Sequence, residues 1–185
     1  MGPSRKLIAA AAIGLLRAAT VQAGDAVFEN FENEAETRWE FITDGVMGGV
    51  SDGSAVMARI DGDPALRMTG TVSTENNGGF IQTRRMLPDG LPLGTTAIEL
   101  DVRGNSQPYY VFIRTSEMTR PWYFYNARFE AGTEWETIRL PLSAFERSHA
   151  HLSEAIVPED GISIGLVAYG RDYEADLMVR EIRLD

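Results

Sequence analysis

Cysteine is absent from this chain of 185 residues, and histidine occurs only twice. The lack of cysteine excludes a disulfide framework, a thiolate metal site and a cysteine nucleophile, and two histidines leave little for a histidine-rich metal site. Basic charge is also scarce, since 17 Lys and Arg stand against 27 Asp and Glu, a net charge of −10. Because binding to phosphates requires a basic face, nucleic acid is excluded as a partner. We expect neither a metal nor a cofactor.

The apolar run near the N-terminus is short. Its ten residues, Leu7–Leu16, follow a pair of basic residues, whereas a membrane span takes ~20 apolar residues. The basic start, the short apolar centre and the small residues of Val21-Gln22-Ala23 are the three parts of a secretory signal peptide. We therefore predict that residues 1–23 are a cleavable leader and that residues 24–185 form the mature domain.

The leader predicts an exported protein, periplasmic or secreted, that does not insert into a membrane after cleavage. Arg17 and the absence of acids before Gly24 leave an organelle transit peptide, and therefore the mitochondrial matrix, as the alternative. Cleavage removes three of the 17 cations and none of the 27 acids, so the net charge falls from −10 to −13. The 14 cations that remain are all Arg, and an acidic surface of this kind favours solubility.

Apolar and polar residues alternate with period two through much of the mature sequence. In Ala97–Arg103 the apolar residues alternate with charged ones, which is typical of a strand buried on one face only. Similar patterns predict further strands at 56–60, 66–72, 138–140, 162–169 and 177–184. In the last of these the apolar positions change phase at Arg180-Glu181, where a β-bulge would restore the inward-facing pattern.

Turn signals separate these segments at short intervals, and no window carries a long amphipathic helix. Asp52-Gly53 and Pro88-Asp89-Gly90 are two examples. Asp61-Gly62-Asp63 resembles part of a calcium loop but lacks the full spacing and the bidentate Glu, so we interpret it as a turn. Many short strands with regular turns predict a single all-β domain, a sandwich or barrel of roughly ten strands.

No catalytic residue is assigned. Gly161-Ile162-Ser163-Ile164-Gly165 matches the G-x-S-x-G pattern of serine hydrolases, but that motif requires a sharp turn from strand to helix. Here the serine lies within a predicted strand, and both His149 and His151 precede it instead of following it. Two carboxylates in a cleft could hydrolyse a glycosidic bond, yet nothing singles out such a pair among the 27 acids.

Aromatic residues cluster in Trp122-Tyr123-Phe124-Tyr125. In an alternating strand half of such rings point away from the core, and an exposed ring can stack on the C–H face of a sugar. Trp122, Tyr123 and Tyr125 are therefore candidate carbohydrate-binding residues. The same rings can also serve as core and as cover for the sheet edges, and both interpretations stay open.

Two segments are rich in glycine, namely Asp44-Gly45-Val46-Met47-Gly48-Gly49-Val50-Ser51 and Glu75-Asn76-Asn77-Gly78-Gly79-Phe80. Glycine permits positive φ and close backbone approach, while Asn and Asp side chains cap exposed amides. Each segment is predicted to form a tight, pre-shaped loop. Ligand binding and simple hairpin chemistry are both open at this point.

Both segments resemble the signature of the complex I intermediate-associated protein 30 family. The resemblance includes the residues just before each segment, Trp39–Thr43 and Gly70–Thr74. The resemblance extends over nearly all of Phe28–Asp185 and includes pieces at 125–129, 140–145 and 162–166. It implies a galactose-binding-like jelly-roll β-sandwich. It also implies a non-enzymatic role, because mitochondrial members act as chaperones in the assembly of NADH:ubiquinone oxidoreductase.

The predicted function is therefore a non-enzymatic, chaperone-like binding protein. Its client would be a protein, such as a respiratory complex or its assembly intermediate, and the alternative is a carbohydrate-binding module with a glycan ligand. An exported chain would face away from the peripheral arm of a bacterial complex I, so either the leader is a transit peptide or the client differs. The residues on the family motifs are candidates for a binding surface or for loops that support one: Asp44, Gly48, Gly49, Glu75, Asn76, Asn77 and Arg84.

Overall fold

The computed structural model describes residues 26–185, and the predicted leader at 1–23 lies outside them. Twelve strands form two antiparallel sheets that face each other across one core. In chain order the strands are β1 (Ala26–Glu29), β2 (Trp39–Thr43), β3 (Asp52–Ile60), β4 (Asp63–Val72), β5 (Phe80–Met86), β6 (Ala97–Gly104), β7 (Gln107–Thr115), β8 (Tyr125–Ala131), β9 (Glu136–Pro141), β10 (Glu146–Arg147), β11 (Gly161–Tyr169) and β12 (Tyr173–Leu184).

The first sheet has the order β3-β4-β12-β6-β9, and β1 pairs with the end of β12. The second sheet has the order β10-β8-β7-β11-β5-β2. The all-β jelly-roll sandwich predicted from the sequence is confirmed. The structure has twelve strands, whereas roughly ten were expected, and two of the twelve are short: β1 has four residues and β10 has two.

The first sheet is buried on one face and charged on the other, as its alternation predicts. In β6 the side chains of Ile98, Leu100 and Val102 are fully buried. On the outer face, Glu99 pairs with Arg183 of β12. Val179 and Glu181 of β12 lie opposite two consecutive residues of β6. Arg180 has no partner of its own on β6, so it is the extra residue of a β-bulge. The predicted bulge is therefore confirmed.

The second sheet packs its inner face on the same core, but its outer face is not a simple polar surface. In β7 the side chains of Tyr109, Val111 and Ile113 are fully buried, and the alternate positions, Tyr110 and Phe112, carry aromatic rings on the outer face. Ser163 lies inside β11, so the interpretation of the G-x-S-x-G match as a strand interior is confirmed.

A buried carboxylate ties the two sheets together at one edge. Glu29 of β1 forms ion pairs of 2.8 Å with Arg38 and with Arg85 of β5. It also accepts hydrogen bonds from the Trp39 indole at 3.0 Å and from the Phe31 N–H at 2.9 Å. Burial alone would raise the pKa of Glu29. The hydrogen bonds and the arginine charges have the larger effect, so the pKa lies below its usual value.

The connections include tight turns, single 3₁₀ turns and three longer loops at 87–96, 116–124 and 148–160. Asp61-Gly62 joins β3 to β4 with positive φ at both residues, which confirms the predicted turn. Among residues 26–185, none of the helical segments combines the length and the hydrophobicity needed to cross a membrane.

Candidate functional site

The two glycine-rich segments are held together by the carboxylate of Asp44, which is fully buried. Its Oδ1 accepts a hydrogen bond from the Ser51 N–H at 3.0 Å, and its Oδ2 accepts one from the Ser51 hydroxyl. Oδ2 also accepts hydrogen bonds from Gly79 N–H at 2.6 Å and Phe80 N–H at 3.2 Å. Burial raises the pKa of Asp44, but these hydrogen bonds prevail and lower it. Asp44 therefore joins the turn after β2 to the loop before β5.

Two glycines of the family signature make room for this carboxylate. A Cβ at Gly49 would lie 2.3 Å from Asp44 Cγ, and a Cβ at Gly78 would lie 2.4 Å from Asp44 Oδ2. Gly48 differs, because nothing lies within 4 Å of a Cβ there and its φ is +90°. The glycines thus serve close packing at two positions and a left-handed backbone at the third.

The remaining motif residues lie in the exposed turn before β5. Glu75 is exposed, and its carbonyl accepts the Gly78 N–H at 2.9 Å. Asn76 and Asn77 both have left-handed backbone, with φ of 57° and 60°, a conformation that Asn adopts more readily than most residues. Only Asn77 of these three lines the groove described next.

The outer face of the second sheet carries a groove of about 540 Å³, called the groove below. One cross-strand row, Arg84, Gly165 and Phe112, runs across its floor from β5 through β11 to β7. Gly165 is opposite both of the others and has no side chain. At the centre of the floor, Gln82 Oε1 lies 3.3 Å from the position that a Cβ of Gly165 would take.

Loops from both sides of the sheet border the groove. The turn after β2 contributes Val46 and Met47, whose side chains are 74% and 53% exposed. The connection from β7 to β8 contributes Trp122, which is 49% exposed. The polar pair Ser148 and His149 also lines the groove, with a 2.9 Å contact between the Ser148 hydroxyl and His149 Nδ1.

Aromatic rings inside the groove pack on one another. Phe112 and Phe124 are stacked, with ring centroids 4.0 Å apart and planes 9° apart. Tyr169 meets both of them edge-on, at 5.4 Å and 6.0 Å. Offset and edge-to-face pairs of this kind hold rings rigidly. These rings consequently form a firm apolar surface, while much of their face area is used within the cluster.

Two arginines line the same groove. Arg84 donates to Glu40 Oε2 at 2.9 Å. Arg114 donates to the carbonyl oxygens of Tyr123 at 3.1 Å and Arg120 at 2.9 Å. Burial, and then the charge of Arg84, lower the pKa of Arg114. Among the described residues that line the groove there is no Asp or Glu.

The predicted aromatic residues separate into three environments. Trp122 lies at the border of the groove. Tyr123 packs against the rings of His149 and His151, at 4.6 Å and 4.7 Å between centroids. Tyr125 is 1% exposed and faces the core, where its hydroxyl bonds to Glu117 at 2.7 Å. Burial and this carboxylate raise its pKa to about 12. Trp122 is thus the member of the three that a groove ligand can reach.

The sequence analysis did not identify several residues of the groove. Arg114 and Tyr169 line it but belong to no motif. Gly165 also lines it, and it entered the sequence analysis only as the end of the G-x-S-x-G match and within the family piece at 162–166. One signal was present in β7, where aromatic Tyr110 and Phe112 alternate with the core residues of the same strand. Outward aromatic rings at period two indicate a covered or ligand-binding face of a sheet.

The lining of the groove offers apolar surface and hydrogen-bonding groups. In the described part of the chain, no group of three or more His, Cys, Asp or Glu is placed to hold a metal ion. The Ser148 hydroxyl accepts the Phe124 N–H at 3.0 Å and also contacts the adjacent histidine. These contacts fix the Ser148 side chain beside the groove.

Several solved structures with the same fold are carbohydrate-binding modules. The family 11 module of the cellulosomal cellulase Lic26A-Cel5E of Clostridium thermocellum has a TM-score of 0.72 and 18% identity, over 87% of this chain and 94% of that chain. A family 11 module from the same organism, in complex with a beta-1,3-1,4-mixed-linked tetrasaccharide, has a TM-score of 0.69 and 17% identity, over 85% and 93%. A family 30 module has a TM-score of 0.53 and 12% identity, over 74% and 91%. At these identities the likeness shows the fold.

Sequence comparison supplies the family. No curated protein sequence matches the chain. The sequence profile of the complex I intermediate-associated protein 30 family matches residues 28–173, which include both glycine-rich segments, the groove floor and every strand from β2 to β11. The chain therefore belongs to the complex I intermediate-associated protein 30 family.

Proposed function

We propose that this chain is a non-enzymatic binding domain that holds an apolar segment of a client protein in the groove. The observation that carries the proposal is the pair Val46 and Met47, aliphatic side chains that are 74% and 53% exposed beside the groove. Exposed apolar surface next to a concave site is typical of a protein-binding surface. Because Asp44 fixes the turn that bears these side chains, the surface is already formed before a client binds.

The ring arrangement favours a protein segment over a sugar. A pyranose needs an open aromatic face on which to stack. Phe112 and Phe124 each use one face on the other, and Tyr169 meets both rings edge-on, which reduces the open aromatic face. Apolar side chains of a polypeptide can fill the irregular space that remains, where shape matters more than flat stacking.

The family supports a client of a particular kind. Its name describes association with an intermediate of complex I, and we extend to this chain the role of binding an assembly intermediate of a respiratory complex. The proposed leader exports the domain to the periplasm or beyond. On that proposal the client segment is one that emerges on the outer side of the membrane.

Site-specific crosslinking tests the proposal. A photo-crosslinking amino acid replaces Met47 in one sample and Val56 in another, since Val56 is 51% exposed but lies on β3 of the first sheet, away from the groove. In membranes of the producing cell, the Met47 sample should crosslink to one defined subunit and the Val56 sample should not. Gly165→Leu, which fills the groove floor, should abolish the product. Equal crosslinking from both positions would contradict a client in the groove.

A carbohydrate ligand is the second candidate, and Trp122 favours it. Its indole is 49% exposed, and the hydroxyl and imidazole of Ser148 and His149 line the same groove. A glycan array with the wild type and Trp122→Ala separates the two candidates. Glycan binding that is lost in Trp122→Ala and kept in Met47→Glu would favour the sugar, and the absence of binding at millimolar glycan would remove this candidate.

A further inference from the structure

The groove is a basic site in an acidic protein. The chain has 27 Asp and Glu against 17 Lys and Arg. Arg84 and Arg114 line the groove, whereas the described residues that line it include no carboxylate. The groove is thus positively charged although the molecule as a whole is negatively charged. Binding of apolar side chains alone does not require a positive charge.

The two arginines lie on the two strands that flank β11. Arg84 of β5 lies opposite Gly165 of β11, and Arg114 of β7 lies opposite Ser163 of the same strand. Adjacent strands are ~4.8 Å apart and the two positions are offset by two residues, ~7 Å, along β11, so the two Cα atoms are separated by about 12 Å. Between the arginines β11 carries only the small residues Ser163 and Gly165, both buried, and Gln82 Oε1 lies 3.3 Å from the position of a Cβ at Gly165.

Both arginines have unused bonding capacity. Arg114 bonds to backbone carbonyl oxygens, so no carboxylate of the described residues neutralises it. Arg84 has one charged partner, Glu40, whose side chain is 66% exposed. The Nε of Arg84 is buried and has no hydrogen-bond partner within residues 26–185. A buried donor without a partner is costly, and an anion in the groove would supply one.

We propose that Arg84 and Arg114 bind a carboxylate of the client between them. The inference rests on the proposed function and deepens it, because it defines the segment: an Asp or Glu with apolar residues beside it. Guanidinium groups bind carboxylates through paired, charge-assisted hydrogen bonds. The apolar neighbours contact Met47 and Trp122, and Glu40 acts as an internal competitor that the client carboxylate displaces from Arg84.

Two matched peptides test the inference on the purified chain. The probes are acetyl-Leu-Glu-Phe-amide and acetyl-Leu-Gln-Phe-amide, and the readout is the NMR shift of the arginine Nε–H signals, assigned with the variants below. The Glu peptide should shift the signals of Arg84 and Arg114 and bind at least about tenfold more tightly than the Gln peptide. Added salt should weaken its binding. Glu40→Gln should strengthen binding several-fold, because it removes the competitor.

Variants provide the controls. Arg84→Gln and Arg114→Gln should each weaken binding of the Glu peptide about tenfold or more, whereas Arg128→Gln, at an exposed arginine of β8 outside the groove, should not. If Arg114→Gln fails to fold, Arg84→Gln and Glu40→Gln decide the matter. Equal affinity for the two peptides, or no binding of either at millimolar concentration, would overturn the inference. The crosslinking from Met47 would still stand, so failure of the anion site is distinguishable from failure of the proposed function.

Discussion

Replacing Asp44 by Asn tests whether one buried carboxylate holds the two glycine-rich segments together. Four donors converge on Asp44: the N–H groups of Ser51, Gly79 and Phe80, and the Ser51 hydroxyl. An Asn side chain keeps one oxygen for the Ser51 N–H and presents an NH₂ group to the other donors. The hydroxyl can rotate to accept from it, but the two glycine-loop N–H groups lose their acceptor.

The magnitude follows from these two donors. A buried donor left without a partner costs about 1–3 kcal/mol, so Asp44→Asn should lower the free energy of unfolding by about 3 kcal/mol. A domain of this size is stable by about 5–15 kcal/mol, which makes the loss large but compatible with folding. Asp172→Asn is the matched control, because Asp172 also accepts two hydrogen bonds, both from Thr74, but is exposed. Water can replace its bonds, and the expected loss is below about 1 kcal/mol.

Urea unfolding monitored by tryptophan fluorescence measures both variants. The pH dependence adds a second criterion. The pKa of Asp44 in the folded chain is lowered, so its contribution to stability is fully present above the unfolded pKa of about 3.9 and is lost as the pH falls through the folded pKa. The difference between wild type and Asp44→Asn should be constant from neutral pH to about pH 5 and should shrink below about pH 4. A loss below about 0.5 kcal/mol, or a difference independent of acid, would refute the reasoning.

Three further variants test other parts of the structure by chemical denaturation. Glu29→Gln should destabilise the fold by about 3 kcal/mol, because two arginines lose their buried carboxylate; a loss below about 1 kcal/mol would contradict this role. Gly49→Ala should cost more than Gly48→Ala, since a Cβ at Gly49 would lie 2.3 Å from the buried carboxylate, while Gly48 has only a backbone penalty of about 1–2 kcal/mol. Equal losses would contradict the packing argument. Tyr109→Phe removes a hydroxyl that accepts the Asp176 N–H at 2.9 Å and should cost about 1–2 kcal/mol without changing client crosslinking, which a groove role for Tyr109 would reduce.

Sequence alternation predicted the first sheet much better than the second, and the reason is what each outer face contacts. The outer face of the first sheet meets water, so β6 alternates buried apolar residues with charged ones such as Glu99 and Asp101. All but one of the predicted strands lie in that sheet. In β7 of the second sheet, Tyr110 and Phe112 on the outer face are as apolar as Val111 in the core, and the period-two contrast disappears. Weak alternation in a strand of a sandwich therefore indicates a covered or ligand-binding face.

The site was predictable where it depended on local residues and unpredictable where it depended on strand register. The glycine-rich segments were identified as tight loops from their composition. The role of Asp44 as the buried carboxylate that bonds to both loops could not be predicted, because it depends on the contact between the two loops. Arg84 entered through its position after the second motif. Arg114 gave no local signal, because its place opposite Ser163 follows from the pairing of β7 with β11. The pairing of strands that are distant in the chain cannot be read from a single sequence.

The position of β12 bears on how the protein is made. This strand is the last in chain order, yet it lies in the interior of the first sheet and pairs with β4, β6 and β1. A nascent polypeptide still on the ribosome lacks the strand that joins these neighbours, so half of the sandwich cannot close until synthesis reaches Leu184. Such distant pairing slows folding. Delayed closure would keep the polypeptide unfolded, as passage through a translocation channel requires. It would also make a truncation near the C-terminus as damaging as one near the N-terminus.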